Sequence, residues 1–192
     1  ELLDFKQGEP RVREYAVRCL ECLSDDELSE LLNQLTQVLK YEPFHESALA
    51  RFLLRRAWQS PREIGSKFFW ALRSEMHNPR FSPRFGILLR AYLTSSSPAH
   101  LQDLTQQVDV QDMLRTVTDK MTGRKFSSKM ERLSIARREL DKVNDQLPET
   151  FQLCLNPKIV VRGLYVQGCK VMNSKKKPLW LKFASVDPPQ AG

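Results

Sequence analysis

Residues 49–76 read LARFLLRRAWQSPREIGSKFFWALRSEM, and their spacing sets the fold class. Two amphipathic helices meet at a corner, Gln59-Ser60-Pro61-Arg62. The first carries Leu49, Phe52, Leu53 and Ala57 on one side and Arg51, Arg55 and Arg56 on the other. The second carries Ile64, Phe68, Phe69 and Leu72. Apolar residues recurring at i, i+3 and i+4 mark a face that must be buried against other helices. Trp58 and Trp70 add large apolar bulk. The stretch holds no metal cage, activated nucleophile or phosphate cradle, so its chemistry is that of a scaffold.

The same grammar runs outward on both sides. Pro10 suits the first turn of a helix over about 10–23, with Val12, Tyr15, Ala16, Cys19, Leu20 and Leu23 on its apolar face. Ser24-Asp25-Asp26-Glu27 is a capping box that starts a helix over about 25–41, carrying Leu28, Leu31, Leu32 and Leu35. A third helix covers about 46–58. Ser60-Pro61-Arg62-Glu63 repeats the start signal for a fourth, which runs to about Met76. Ser82-Pro83 opens a fifth with Phe85, Leu88, Leu89 and Tyr92, and Ser97-Pro98 a sixth over about 98–121. The start signals at Ser24, Ser60 and Ser97 are 36 and 37 residues apart, one helix pair each time. That period predicts stacked antiparallel helical hairpins, an α-α superhelix.

Thr122-Gly123-Arg124-Lys125 is a basic hinge, and about 127–146 a charged helix with a thin stripe of Met130, Leu133, Ile135, Ala136 and Leu140. Its basic residues suit either a membrane- or partner-facing helix or a solvated helix packed along one edge, the second being favoured. From Pro148 the pattern becomes β-prone: Phe151–Leu155, Ile159–Val161, Leu164–Val166, Cys169–Met172 and Pro178–Phe183. The mainly α chain is therefore expected as three parts: helices over 1–121, a basic linker helix over 122–147, and the opening strands of a second domain over 148–192. The start, without an initiator Met, and the tail Asp187–Gly192, which completes no strand, give the look of a piece of a longer chain.

Composition bounds the function without naming it. The 192 residues are 41% hydrophobic and 28% charged, ordinary for a globular protein, and seven glycines favour helices over a turn-rich β fold. A net charge of +7 favours anionic partners. No apolar run of roughly 18 residues is present, and the first residues have no basic, apolar signal sequence. Cys19 and Cys22 form one C-x-x-C inside a helical pattern, without the further ligands a zinc site needs, and read as thiols with Cys154 and Cys169. His45, His77 and His100 have no ligand spacing and read as capping or surface residues. The turn Met172-Asn173-Ser174-Lys175-Lys176-Lys177 could cover a phosphate tail, with backbone N–H groups, a hydroxyl and ammonium groups as donors, although such lysine runs are also ordinary exposed loops. It is not a Walker A loop, and no metal-binding acid and base follow it.

Five runs resemble one known family: Val12–Val17, Gln37–Phe44, Ala48–Leu54, Phe69–Glu75 and Arg84–Gly86. They are similar to the helical (accessory, PIK) domain of class I phosphoinositide 3-kinase catalytic subunits. Cys169–Leu181 resembles the first strands and phosphate-covering loop of the kinase N-lobe. Leu104–Val108 and Gln146–Glu149 look like the gamma branch, and Glu1–Tyr15 like the beta isoform. The resemblance implies a superhelix leading into an incomplete N-lobe. It implies that Met172 and Trp180 line an adenine pocket, and that Ser174 with Lys175 or Lys176 approaches the ATP phosphates. Asn173 departs from the small residue usual there. The parent enzyme would use ATP and Mg to phosphorylate the 3-hydroxyl of phosphoinositides in receptor signalling. It would be cytoplasmic and recruited to the plasma membrane. Its partners would be the other domains of the subunit, a regulatory subunit, Ras, G-protein beta-gamma and the phosphoinositide membrane, with no nucleic acid. This chain lacks the ATP-lysine strand, hinge, catalytic loop, Asp-Phe-Gly and activation loop, so no catalytic or metal-ligating residue is expected in it, nor activity or tight ATP binding. Two other readings stay open: a free-standing α-solenoid for protein docking, in which 148–187 is dispensable, and a basic binder of nucleic acid or lipid surfaces.

Overall fold

The computed structural model describes Leu3 and residues 8–186, so the expectations for most of the first seven residues and for the tail from Asp187 lie outside the described residues. Seven helices precede five short strands: α1 Pro10–Leu20, α2 Asp25–Val38, α3 Ala48–Gln59, α4 Ser66–Ser74, α5 Ser82–Thr94, α6 Pro98–Thr122, α7 Lys129–Asn144, then β1 Phe151–Leu153, β2 Asn156–Leu164, β3 Lys170–Val171, β4 Leu179–Trp180 and β5 Phe183–Ser185. The mainly α fold with a few terminal antiparallel strands is the one expected. Two compact units divide the chain. One holds residues 1–101 with 154–158; the other holds 102–153 with 159–192.

In the first unit α1 packs on α3, α2 on α4 and α3 on α5, the pattern of stacked helix pairs. Leu28, Leu32, Leu53, Ile64, Phe68 and Leu72 are essentially sealed from solvent. The capping box at α2 forms in full: Glu27 N–H donates to Ser24 Oγ at 3.3 Å, and Ser24 N–H to Glu27 Oε2 at 2.8 Å. Several expectations are corrected. Ser60 does not cap its own helix; Pro61–Gly65 is one turn of π-helix, and the Ser60 carbonyl accepts from both Ile64 and Gly65 N–H at 3.0 and 2.9 Å. Asp25, at the start of α2, has its carboxyl held below the usual range chiefly because Arg56 donates to it. Arg56, placed on the polar side of α3, is buried because it donates to Asp25 Oδ1 at 2.8 Å and to the Leu23 carbonyl at 2.9 Å. Helix α1 ends at Leu20 and turns Arg13, Ala16 and Val17 inward, leaving Tyr15 and Cys19 exposed. The buried Arg13 is held by Glu42 at 2.5 Å, a partner 29 residues away. His100 is buried too, its Nε2 2.6 Å from Tyr92 Oη.

In the second unit α6, α7 and the strands share one core, including Leu114, Val117, Met121, Leu140, Phe151 and Leu164. The helix expected as a linker contributes Ala136, Leu140 and Val143 to that core, while Met130, placed on its apolar stripe, is 76% exposed. Ser128 caps it, accepting from Glu131 N–H at 3.0 Å, while Glu131 accepts from Ser127 N–H at 2.7 Å. The strands form one three-stranded sheet in the order β1-β2-β5 and a separate hairpin β3-β4. Pro178–Phe183, expected as one strand, is split between them. A bulge separates Arg162 from Leu164 in β2, and Gly163 stands there at φ +40. Its missing side chain admits Asn144, whose Oδ1 would lie 2.7 Å from a Cβ and accepts from Leu164 N–H at 2.5 Å.

Candidate functional site

The phosphate-covering turn suggested by the sequence is the connection between β3 and β4. Lys170 pairs with Trp180 and Val171 with Leu179, antiparallel. Paired residues share a face of the ribbon. Val171 faces the core and Leu179 is half-buried, so Lys170 and Trp180 lie on the outer face, with Met172 two residues along. Met172 and Trp180 are 46% and 57% exposed: two large apolar side chains left on one open surface.

The turn itself is closed by its own backbone. Met172 N–H donates to the Pro178 carbonyl at 2.9 Å, Ser174 N–H to Met172 at 3.1 Å, and Lys177 N–H to Ser174 at 3.1 Å. Lys177 takes φ +44, a left-handed conformation uncommon for a side chain of its size. Its ammonium is the anchor: Nζ donates to the Met121 carbonyl at 3.0 Å and the Arg124 carbonyl at 2.7 Å, and stands 4.8 Å over the Phe126 ring. It thereby caps the C-terminal end of α6, where carbonyls lack helical partners. Thr122 Oγ1 adds a bond to the Lys176 carbonyl at 3.3 Å. Of three consecutive lysines, the last is a structural bolt, and Lys175 and Lys176 are exposed with no ion pair among the described residues. Ser174 is exposed beside them.

Five residues are thus brought to one hairpin: Met172, Ser174, Lys175, Lys176 and Trp180. Apolar surface, a hydroxyl and two uncommitted ammonium groups fit a ligand with a flat ring and a phosphate tail. Two contributors escaped sequence reasoning. Lys177 was not separated from its neighbours, because no local pattern reveals that its partner lies 53 to 56 residues back. Asn173, noted only as a departure from the small residue usual there, accepts from Arg132 of α7 at 3.2 Å and ties the turn to that helix. Among the described residues no three His, Cys, Asp or Glu side chains converge as metal ligands, and no helix is long and apolar enough to cross a membrane.

Comparison with known proteins places the sequence in a family. Residues 1–106 match the model of the phosphoinositide 3-kinase family accessory domain, the PIK domain. Phosphatidylinositol 3-kinase 2 of Dictyostelium discoideum is 43% identical over 188 residues, 98% of this chain and 10% of that protein. Phosphatidylinositol 3-kinase 1 of the same organism is 46% identical over 187 residues, 97% of this chain and 12% of that protein. The chain therefore spans about a tenth of the length of these relatives.

Proposed function

The chain belongs to the phosphoinositide 3-kinase family, and from that premise we propose that it is the scaffold segment of a phosphatidylinositol 3-kinase catalytic subunit. The observation that carries this reading is continuity: the likeness to the two kinases runs through the helices and on through the β3–β4 hairpin. In the parent enzyme the hairpin would cover ATP. Met172 and Trp180 would offer apolar surface to the adenine, Ser174 would donate a hydrogen bond to a phosphate oxygen, and Lys175 or Lys176 would offset its charge. ATP with Mg would supply the phosphoryl group passed to the inositol 3-hydroxyl. These residues bind and orient; none is placed to move a proton.

The same reading makes the parent a receptor-signalling enzyme, cytoplasmic and recruited to the plasma membrane. Its partners would be the subunit's other domains, a regulatory subunit, Ras, G-protein beta-gamma and the phosphoinositide membrane. The segments noted above favour a class I subunit with gamma-like and beta-like stretches. The core shared by α6, α7 and the strands favours this reading over a free-standing α-solenoid, for which the strands would be dispensable. The purified 192-residue chain is expected to give no lipid-kinase turnover and no calorimetric ATP binding. Turnover would overturn the scaffold reading. In the full-length enzyme, Lys175→Gln with Lys176→Gln should raise the KM for ATP with little change in thermal stability. An unchanged KM would remove the nucleotide role of the turn.

A further inference from the structure

Helix α7 and strand β3 flank a second feature, which borders the nucleotide surface at Met172 and Asn173 but whose cations the nucleotide reading does not use. A cleft of about 380 Å³ opens between them, lined by four cationic side chains, Lys129, Arg132, Arg137 and Lys170, over an apolar floor of Leu133 and Val171. Among the described residues no carboxylate lines it. Of the three acidic residues of α7, Glu131 serves its own helix cap and Arg124, Glu139 serves Lys120, Lys142 and Arg138, and Asp141 is exposed, lining the neighbouring cleft with Arg137 rather than this one. Four cationic side chains around one concavity favour an anionic ligand.

We propose that this cleft binds a small anion carrying several phosphate groups. Lys129, Leu133 and Arg137 follow at i, i+4 and i+8, one stripe of α7, with Arg132 beside it. At about 1.5 Å per residue that stripe is about 12 Å long, room for more than one phosphate. The two guanidinium groups are already oriented by neutral acceptors: Arg132 donates to Asn173 Oδ1 at 3.2 Å, and Arg137 to the Gln167 carbonyl at 2.6 Å. Neither bond neutralises charge, and each planar fork keeps further N–H donors. Arg137 Nε is buried with no hydrogen-bond partner among the described residues. A phosphate oxygen would accept instead from the outer N–H groups of the guanidinium, and the apolar floor strengthens the attraction by excluding water. Asn173 also belongs to the β3–β4 turn, so an anion that takes over Arg132 would be felt by that turn. The cations that hold this ligand are not those assigned to the ATP phosphates, so the proposal stands apart from the nucleotide reading.

The test uses the 192-residue chain with two probes of the same chemistry: inositol hexakisphosphate in calorimetry, and phosphatidylcholine vesicles containing a phosphatidylinositol bisphosphate in co-sedimentation. The expected result is saturable binding that Arg132→Gln with Arg137→Gln weakens by at least about tenfold. Lys129→Gln with Lys170→Gln, at the exposed rim, should weaken it likewise if the arginine variant folds poorly. Lys175→Gln with Lys176→Gln should leave it unchanged. Arginine-dependent binding of the free probe supports a soluble polyphosphate, and of the vesicles alone a lipid head group. No binding of either probe, or equal loss in the cleft and turn variants, overturns the proposal.

Discussion

Charge at single positions has different meanings in this chain according to what it faces. Lys177 donates to two helix-end carbonyls, whereas Lys175 and Lys176, its neighbours, are exposed. Lys177→Met should therefore lower stability by about 1–2 kcal/mol in chemical denaturation. Lys175→Gln and Lys176→Gln should each stay within about 0.5 kcal/mol of the parent. Glu139 is the corresponding acid. Hydrogen bonds from Lys120 and then Lys142 hold its carboxyl down to about 2, below the ordinary 4.5. Because the folded value is the lower one, this contribution is complete above pH 4.5 and fades as pH falls towards 2. Both lysines are more than half exposed, so Glu139→Gln should cost only about 1 kcal/mol at neutral pH. The gap between variant and parent should close in melts taken down that acid limb.

At the scale of elements, the corner between α3 and α4 was legible as a break but not in its form. Ser, Pro and Glu at the right spacing read as a cap, yet the chain makes a π turn there. The cause is a close approach: a Cβ on Gly65 would collide with Tyr92 Oη and stand 2.8 Å from the Ala57 carbonyl. Only glycine lets the corner sit this tightly against α3 and α5. Gly65→Ala should thus destabilise the first unit by about 1–3 kcal/mol, read as a lower denaturation midpoint; an unchanged midpoint would mean that the corner relaxes freely. Helix α1 misled differently. Its periodicity fits a stripe through Tyr15 and Cys19, but its packing side is set by Arg13, which no hydrophobic pattern would point inward. The cap at Ser128 was present in the sequence as Ser-x-x-Glu and could have fixed the start of α7.

Across the whole molecule, the compact units do not follow the change from helical to strand patterning. The division falls within α6, after Leu101, and residues 154–158, the turn after β1 with the first residues of β2, group with the first unit. There Lys158 bridges Asp26 at 2.8 Å and Glu63 at 3.1 Å, and Arg62 donates to the Pro157 carbonyl at 3.2 Å. The segment from Phe151 supplies nearly half of the buried residues of the second unit's core, so deleting 148–192 should leave α6 and α7 without most of their packing. The expected outcome is loss of the second unit's cooperative transition and of amide-exchange protection in α7. Retained protection would favour the free-standing solenoid.

The sequence by itself determined the helices, most of their boundaries, the β-prone character after Pro148 and the family. Each of these rests on local periodicity, capping residues or short runs. Tertiary structure alone decided that Arg13, Arg56 and His100 are buried and that only Lys177 of three lysines is fixed. In each case the deciding partner is brought close by packing, at the far side of a turn or on another helix. Periodicity tells which face of a helix is apolar, but a polar side chain is placed by whichever distant group satisfies it.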